Sequence, residues 1–289
     1  MSGFLLLKLK EALLSFLREK LSKGGFNLVD MVNTGLILAA GRGTRMAPYS
    51  DAVAKELLPI GERPVIEYSI RYMCEAGIRK VYIVLGEGKE QIMEYIKDGR
   101  RLGVHAAYLF QDLKAGMGTA KAVEAAKPWI QEAFVVFYGD SFFYPGDFLK
   151  EMLQFHRMRG SQVTMGVYRV KSPLGFGIVR MGREDDVIDL VESPTLEEAE
   201  GLRTDGEYLA NSGPLIFTSS VFDYIEKTGP SPKGEYWITE TIRLMVRDGL
   251  RVYGFRIPRE VFWRDVGTPR ARLEAEEFAL RTFALGGNV

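Results

Sequence analysis

Residues 35–39, Gly-Leu-Ile-Leu-Ala, are an unbroken apolar run that opens one residue later into Gly41-Arg-Gly43. A run this short and apolar predicts a strand covered on both faces. The glycines let the backbone turn sharply and approach a ligand with no Cβ in the way. Arg45 and Lys55 then bring two cations to the same end of that strand. A polyanion is the natural guest. The Gly-Lys-Ser/Thr ending of a P-loop is missing, and Gly41-Arg-Gly43 lacks the third glycine of a dinucleotide fingerprint. The turn is therefore of another kind.

Beyond it the chain alternates. The pattern predicts strands over 79–85, 106–110, 133–138 and 162–168. Helices are predicted over 64–76, 90–97, 119–129 and 146–157. Short β-branched and aromatic runs between helices of about ten residues predict a parallel sheet covered on both faces, with ligands at the carboxyl ends of its strands. After Val170 the character shifts to shorter strands over 175–180, 187–192 and 210–217, with antiparallel members. Helices over 219–228, 236–248 and 268–283 and a strand over 251–257 complete the chain. The fold class expected is α/β, Rossmann-like and three-layered, with a mixed, predominantly parallel sheet.

Charge narrows the function. Lysine plus arginine equals aspartate plus glutamate, 38 each in 289 residues, so no global field favours nucleic acid or an anionic membrane. The single cysteine, Cys74, excludes an internal disulfide and a thiolate metal site. His105 and His156 are isolated and read as structural or surface residues.

Residues 1–30 read as an extension ahead of a domain spanning 31–289. Leu5, Leu6, Leu9, Leu13, Phe16 and Leu17 fall on one side of a helix over 3–21, which Gly24-Gly25 ends. Interspersed charges argue against a spanning helix or a signal peptide, which points to the cytoplasm. The apolar stripe offers a surface for packing on the domain, for homo-oligomer formation or for weak contact with a membrane surface.

Leu38-Ala-Ala-Gly-Arg-Gly-Thr-Arg45, followed by Lys55-Glu-Leu-Leu-Pro59, resembles the signature of the sugar-1-phosphate nucleotidylyltransferases. The likeness continues through Gln111, Gly116-Met-Gly-Thr-Ala120, Gly139-Asp140, Glu192, Asn211-Ser-Gly213 and Trp263-Arg-Asp-Val-Gly-Thr-Pro269. It implies the nucleotide-diphospho-sugar transferase fold. The implied reaction joins a nucleoside triphosphate to a sugar 1-phosphate with release of pyrophosphate. Carried over by position, Ala39, Ala40, Gly41, Gly43, Thr44 and Arg45 would hold the triphosphate. Lys55 would meet phosphates where the two substrates join, and Asp140 and Asp265 would hold Mg2+. Gln111 and the backbone at Gly116 would read the base; Gly177, Glu192 and Asn211 would face the sugar. The motifs look most like uridylyltransferases acting on glucose 1-phosphate, with thymidylyltransferases next and a guanylyltransferase behind them.

Two positions depart from the pattern. Ala54 stands where proline commonly precedes the lysine. Ser193 stands where a lysine commonly contacts the sugar phosphate. The second departure leaves two readings: Lys171, Arg180 or another basic residue compensates, or the chain is a weakly catalytic, nucleotide-sugar-binding regulatory subunit.

Overall fold

The structure, a computed structural model, describes residues 32–285. The amphipathic helix expected within residues 1–30 lies outside them. β1 (Thr34–Ala39) is buried along its whole length. A short pairing of β2 (Pro59–Ile60) with β3 (Arg63–Pro64) follows, then β4 (Lys80–Leu85), β5 (His105–Phe110), β6 (Phe134–Tyr138) and β7 (Ser141–Tyr144). β8 (Val163–Val170), β9 (Gly177–Met181), β10 (Val187–Glu192), β11 (Tyr208–Phe217), β12 (Val252–Arg256) and β13 (Phe262–Asp265) complete the strands of the described residues.

The main sheet has nine strands, ordered β10-β9-β11-β6-β1-β4-β5, with β8 pairing β11 and β12 pairing β8. β6, β1, β4 and β5 run parallel, so their carboxyl ends share one edge. β11 pairs antiparallel with β6, β8 and β9, the antiparallel part expected after Val170. A register shift between Asn211 and Leu215 lets β11 pair with β9 before it and with β6 after it. Asn211 stands at that irregularity.

Alternation along the strands divides the core in two. Ile37, Val81, Ile83, Val135 and Phe137 pack on one face with residues of helices Val65–Glu75 and Phe148–Arg159. Leu36, Leu38, Val84, Phe134 and Val136 pack on the other with helices Thr119–Glu124, Val221–Ile225 and Ile238–Arg247. Burying each such side chain contributes about 1.5–3 kcal/mol, which makes the three-layer arrangement the way to satisfy both faces of β1.

Several boundaries differ from the sequence reading. The helix expected over 119–129 ends at Glu124 and continues as turns. Residues 236 and 237 precede their helix, which starts at Ile238. The β7–β13 ladder was not expected. It pairs Ser141 with Asp265 and Phe142 with Arg264, and it brings a distant segment beside the end of β6.

Candidate active site

The carboxyl ends of the parallel strands open into a cavity of about 580 Å³. Gly43 adopts the left-handed conformation (φ 71°) between β1 and a short helical turn at Thr44–Met46. Lys55 runs beneath this turn. A Cβ on Gly43 would stand 3.4 Å from the Lys55 Cδ, and one on Gly41 would stand 4.0 Å from its Nζ. Lys55 therefore packs directly against the loop, and it is the positive φ of Gly43 rather than lack of room that favours glycine there.

Lys55 ends in a hydrogen-bonded ion pair with Asp140 Oδ2, and both side chains are largely buried. Burial works against the charged ammonium, yet the carboxylates of Asp140 and then Glu56 outweigh it and raise the lysine above its ordinary value. For Asp140, burial pushes upward, but the charge and hydrogen bond of Lys55 prevail and hold the carboxyl below its usual range. Asp265 behaves oppositely. Burial and the nearby Asp140 charge raise it. Arg45 approaches from the rim, its Nη2 3.6 Å from Asp265 Oδ2.

The β7–β13 ladder sets the two aspartates side by side, helped by the Val266 N–H donating to the Asp140 carbonyl at 2.9 Å. Gly267 leaves the space between them open. A Cβ there would stand 2.9 Å from Asp265 Oδ1, 2.9 Å from Arg45 Nη2 and 3.3 Å from Asp140 Oδ2. Two hard carboxylate oxygens thus converge on one point beside two cations. This suits Mg2+, which is commonly bound by one or two carboxylates together with phosphate and water oxygens.

Gln111 is buried at the other end of the cavity. Its Nε2 donates to the carbonyls of Gly116 (3.2 Å) and Gly118 (3.4 Å), which orients the amide and leaves Oε1 as the acceptor. The Gly116–Gly118 loop is tied to the segment before the helix at Ile238. The Tyr236 N–H donates to the Met117 carbonyl at 2.8 Å, and the Ala120 N–H donates to the Tyr236 carbonyl at 2.9 Å.

Glu192 and Asn211 line the third side. Burial raises the Glu192 carboxyl although Thr239 Oγ1 donates to its Oε2 at 3.0 Å. Gly177 backs this carboxylate, since a Cβ there would lie 2.9 Å from Glu192 Oε2. Asn211 Oδ1 accepts from the Gly213 N–H at 3.3 Å, and its side chain hydrogen-bonds to Tyr138.

Of the residues singled out from sequence, Ala40, Gly41, Gly43, Thr44, Arg45, Lys55, Gln111, Asp140, Glu192, Asn211 and Asp265 line the cavity. Ala39, Gly116 and Gly177 stand behind the lining. Lys171 and Arg180 do not line it; among the described residues its cations are Arg42, Arg45 and Lys55. Sequence reasoning gave no role to Glu56, Tyr138, Thr239 or Gly267, and it left Trp237 open between the core and the site. Trp237 in fact faces the cavity, its Nε1 donating to Glu235 Oε2 at 3.0 Å. Tyr138 is the last residue of β6, at the carboxyl end where ligands of parallel sheets bind, and that position was the available signal for it.

Residues 34–282 match the nucleotidyl transferase family. The chain belongs to that family. Over 253 residues it is 30% identical to the low-salt glycan biosynthesis nucleotidyltransferase Agl11 of Haloferax volcanii, covering 87% of this chain and 67% of that protein. It is 30% identical over 245 residues to the bifunctional protein GlmU of Methanococcus maripaludis, covering 85% of this chain and 54% of that protein. A glucose-1-phosphate thymidylyltransferase of Streptomyces griseus is 27% identical over 86% of this chain and 66% of its own. The chain thus spans about half the length of the GlmU relative and about two thirds of the other two. The fold is that of a UDP-glucose pyrophosphorylase solved with UDP-glucose, with a TM-score of 0.75 and 23% identity over 88% of this chain and all of that one.

Proposed function

We propose that the chain transfers a nucleotidyl group from a nucleoside triphosphate to a hexose 1-phosphate, with UDP-glucose as the favoured product. The observation that carries this reading is the meeting of Arg45, Lys55, Asp140 and Asp265 at the glycine-turn end of the cavity. Phosphoryl transfer asks for charge neutralisation and alignment rather than a covalent intermediate.

An oxygen of the sugar phosphate attacks the α-phosphorus, and the bond to the bridging oxygen breaks to release pyrophosphate. Lys55 is held where it meets α-phosphate charge, and Arg45 meets the leaving phosphates from the rim. Magnesium, when bound, would be held by Asp140 and Asp265 and would supply further neutralisation of phosphate oxygens. The glycine turn presents backbone rather than side chains to the triphosphate.

Base preference follows from Gln111. With its N–H groups given to Gly116 and Gly118, the amide offers an acceptor. That suits the ring N–H of uracil or thymine and disfavours adenine and cytosine, whose ring nitrogen at that edge is itself an acceptor. Glu192, Asn211 and Thr239 are suited to sugar hydroxyls.

dTDP-glucose synthesis is the second reading, favoured by the shared edge of the two bases. A weakly catalytic regulatory subunit is the third, and it draws on Ser193, which is exposed and carries no charge. Pyrophosphate release, measured with UTP, dTTP, GTP, CTP and ATP against glucose, mannose, galactose and N-acetylglucosamine 1-phosphates, separates them. The proposal expects a dominant UTP–glucose pair. A dominant dTTP pair installs the second reading, and silence from folded, nucleotide-sugar-binding protein installs the third.

A further inference from the structure

Lys55 belongs to a short helical turn, Lys55–Leu57, and the residues around it are gripped from one place. At the start of helix Glu90–Ile96, Gln91 Oε1 accepts from the Ala54 N–H at 3.1 Å, and its Nε2 donates to the Ala52 carbonyl at 3.3 Å. From the residue capping the same helix, Lys89 Nζ reaches Glu56 Oε2 at 2.7 Å, with both side chains buried. The backbone before Lys55 and the side chain after it are thus bound by two neighbouring residues on a separate element. Glu56 is confined further by Gly139, where a Cβ would lie 3.1 Å from Glu56 Cγ.

We propose that Gln91, together with Lys89, is a positioning residue for Lys55. The pair fixes the chain on both sides of the lysine and sets its ammonium against Asp140. The inference rests on the nucleotidyl-transfer reading for its kinetic consequence, though not for its structural one. Neither side chain lines the cavity, so both act through Lys55 rather than on substrate. Gln91 carries the sharper test because it is exposed and sits on the outer turn of a helix, where truncation leaves the core intact.

The backbone supplies the control. Ala54 has φ −53° and ψ 125°, and Val53 has φ −139° and ψ 137°. These angles match proline at 54 and the extended residue that must precede it. A proline there would hold covalently the conformation that Gln91 holds by a hydrogen bond. It has no N–H to leave unpaired once Gln91 is gone.

The experiment compares Gln91→Ala, Gln91→Glu and Ala54→Pro/Gln91→Ala by turnover with the best substrate pair and by hydrogen exchange of the peptide around Lys55. Gln91→Ala removes two hydrogen bonds, and losing the one next to Lys55, to the Ala54 N–H, corresponds to about a fivefold drop in kcat. The expected result for Gln91→Ala is such a drop, with KM for the sugar phosphate within about twofold, an unchanged Tm and faster exchange around Lys55. The double variant is expected to recover kcat and protection, and Gln91→Glu, which keeps the acceptor for Ala54 but gives up the donor to Ala52, to retain most of both. Wild-type kcat and exchange in Gln91→Ala overturn the proposal, as does a loss of turnover that neither the proline nor the glutamate restores. Should proline at 54 prevent folding, Gln91→Glu against Gln91→Ala decides alone. Wild-type protein silent on every substrate pair rejects the nucleotidyl-transfer reading, and the exchange data still decide the clamp.

Discussion

Lys89 and Glu56 meet at 2.7 Å with 5% and 1% of their surface exposed, so a full ion pair is sealed beneath the loop that carries Lys55. Burial raises the Glu56 carboxyl, and Lys89 is the principal partner that opposes the shift. Removing one member of such a pair leaves the other charge stranded.

Lys89→Met is therefore expected to destabilise the protein by about 3–5 kcal/mol, whereas Glu56→Gln/Lys89→Met recovers most of that loss. Urea denaturation of the two variants checks it. Equal stability in single and double variants would show that the pair is not a coupled unit.

Gly267→Ala tests the geometry of the carboxylate pair. The new methyl would crowd Arg45 and Asp265 at 2.9 Å while touching little of the core. The expected outcome is a loss of kcat on the order of a hundredfold, as befits disturbed alignment, with a nearly unchanged Tm. Steady-state kinetics and a thermal melt check both halves.

Much of this site is legible in the sequence. The apolar run into Gly41 and Gly43 is a local pattern, so strand, turn and pocket could be read together, and Arg45 and Lys55 follow within a few residues. The fold class followed from the same alternation, as did the antiparallel elements after Val170. Glu56, Gln91 and Gly267 were not legible, because each acts through a partner far away in sequence. Lys89 lies 33 residues from Glu56, and Gly267 matters only because β13 pairs with β7. That ladder escaped notice because both strands are four residues long and neither alternates cleanly. Nor does the sequence around Ala54 show that its N–H is bonded to Gln91, 37 residues away.

Ser193 sits in the left-handed region (φ 48°) and is exposed, with its hydroxyl 3.4 Å from Glu192 Oε1. Ser193→Lys would add a cation next to the proposed sugar-facing carboxylate. A charge-assisted contact to the sugar phosphate is expected to lower its KM about tenfold. Initial rates over a range of glucose 1-phosphate check it, and an unchanged KM means that the position does not reach the phosphate.

His156 gives a pH dependence independent of the site. It is buried, with Nδ1 2.8 Å from Thr164 Oγ1, and burial lowers it from 6.5 to about 4. As pH falls below 6.5 the unfolded chain takes up a proton that the folded chain refuses. The contribution is thus fully present above 6.5 and lost progressively down to about 4, amounting to about 3 kcal/mol in all. His156→Asn should flatten this slope in urea unfolding between pH 4 and 7. An unchanged slope would assign it to other groups.

Asp140→Asn asks whether Asp140 and Asp265 serve metal-assisted transfer to a sugar phosphate. Pyrophosphate release from UTP is to be followed with magnesium, with and without glucose 1-phosphate, in wild type and variant. Release from wild type is expected to require both magnesium and the sugar phosphate, and the folded variant to be slowed at least about a thousandfold. Near-normal release from Asp140→Asn would contradict it.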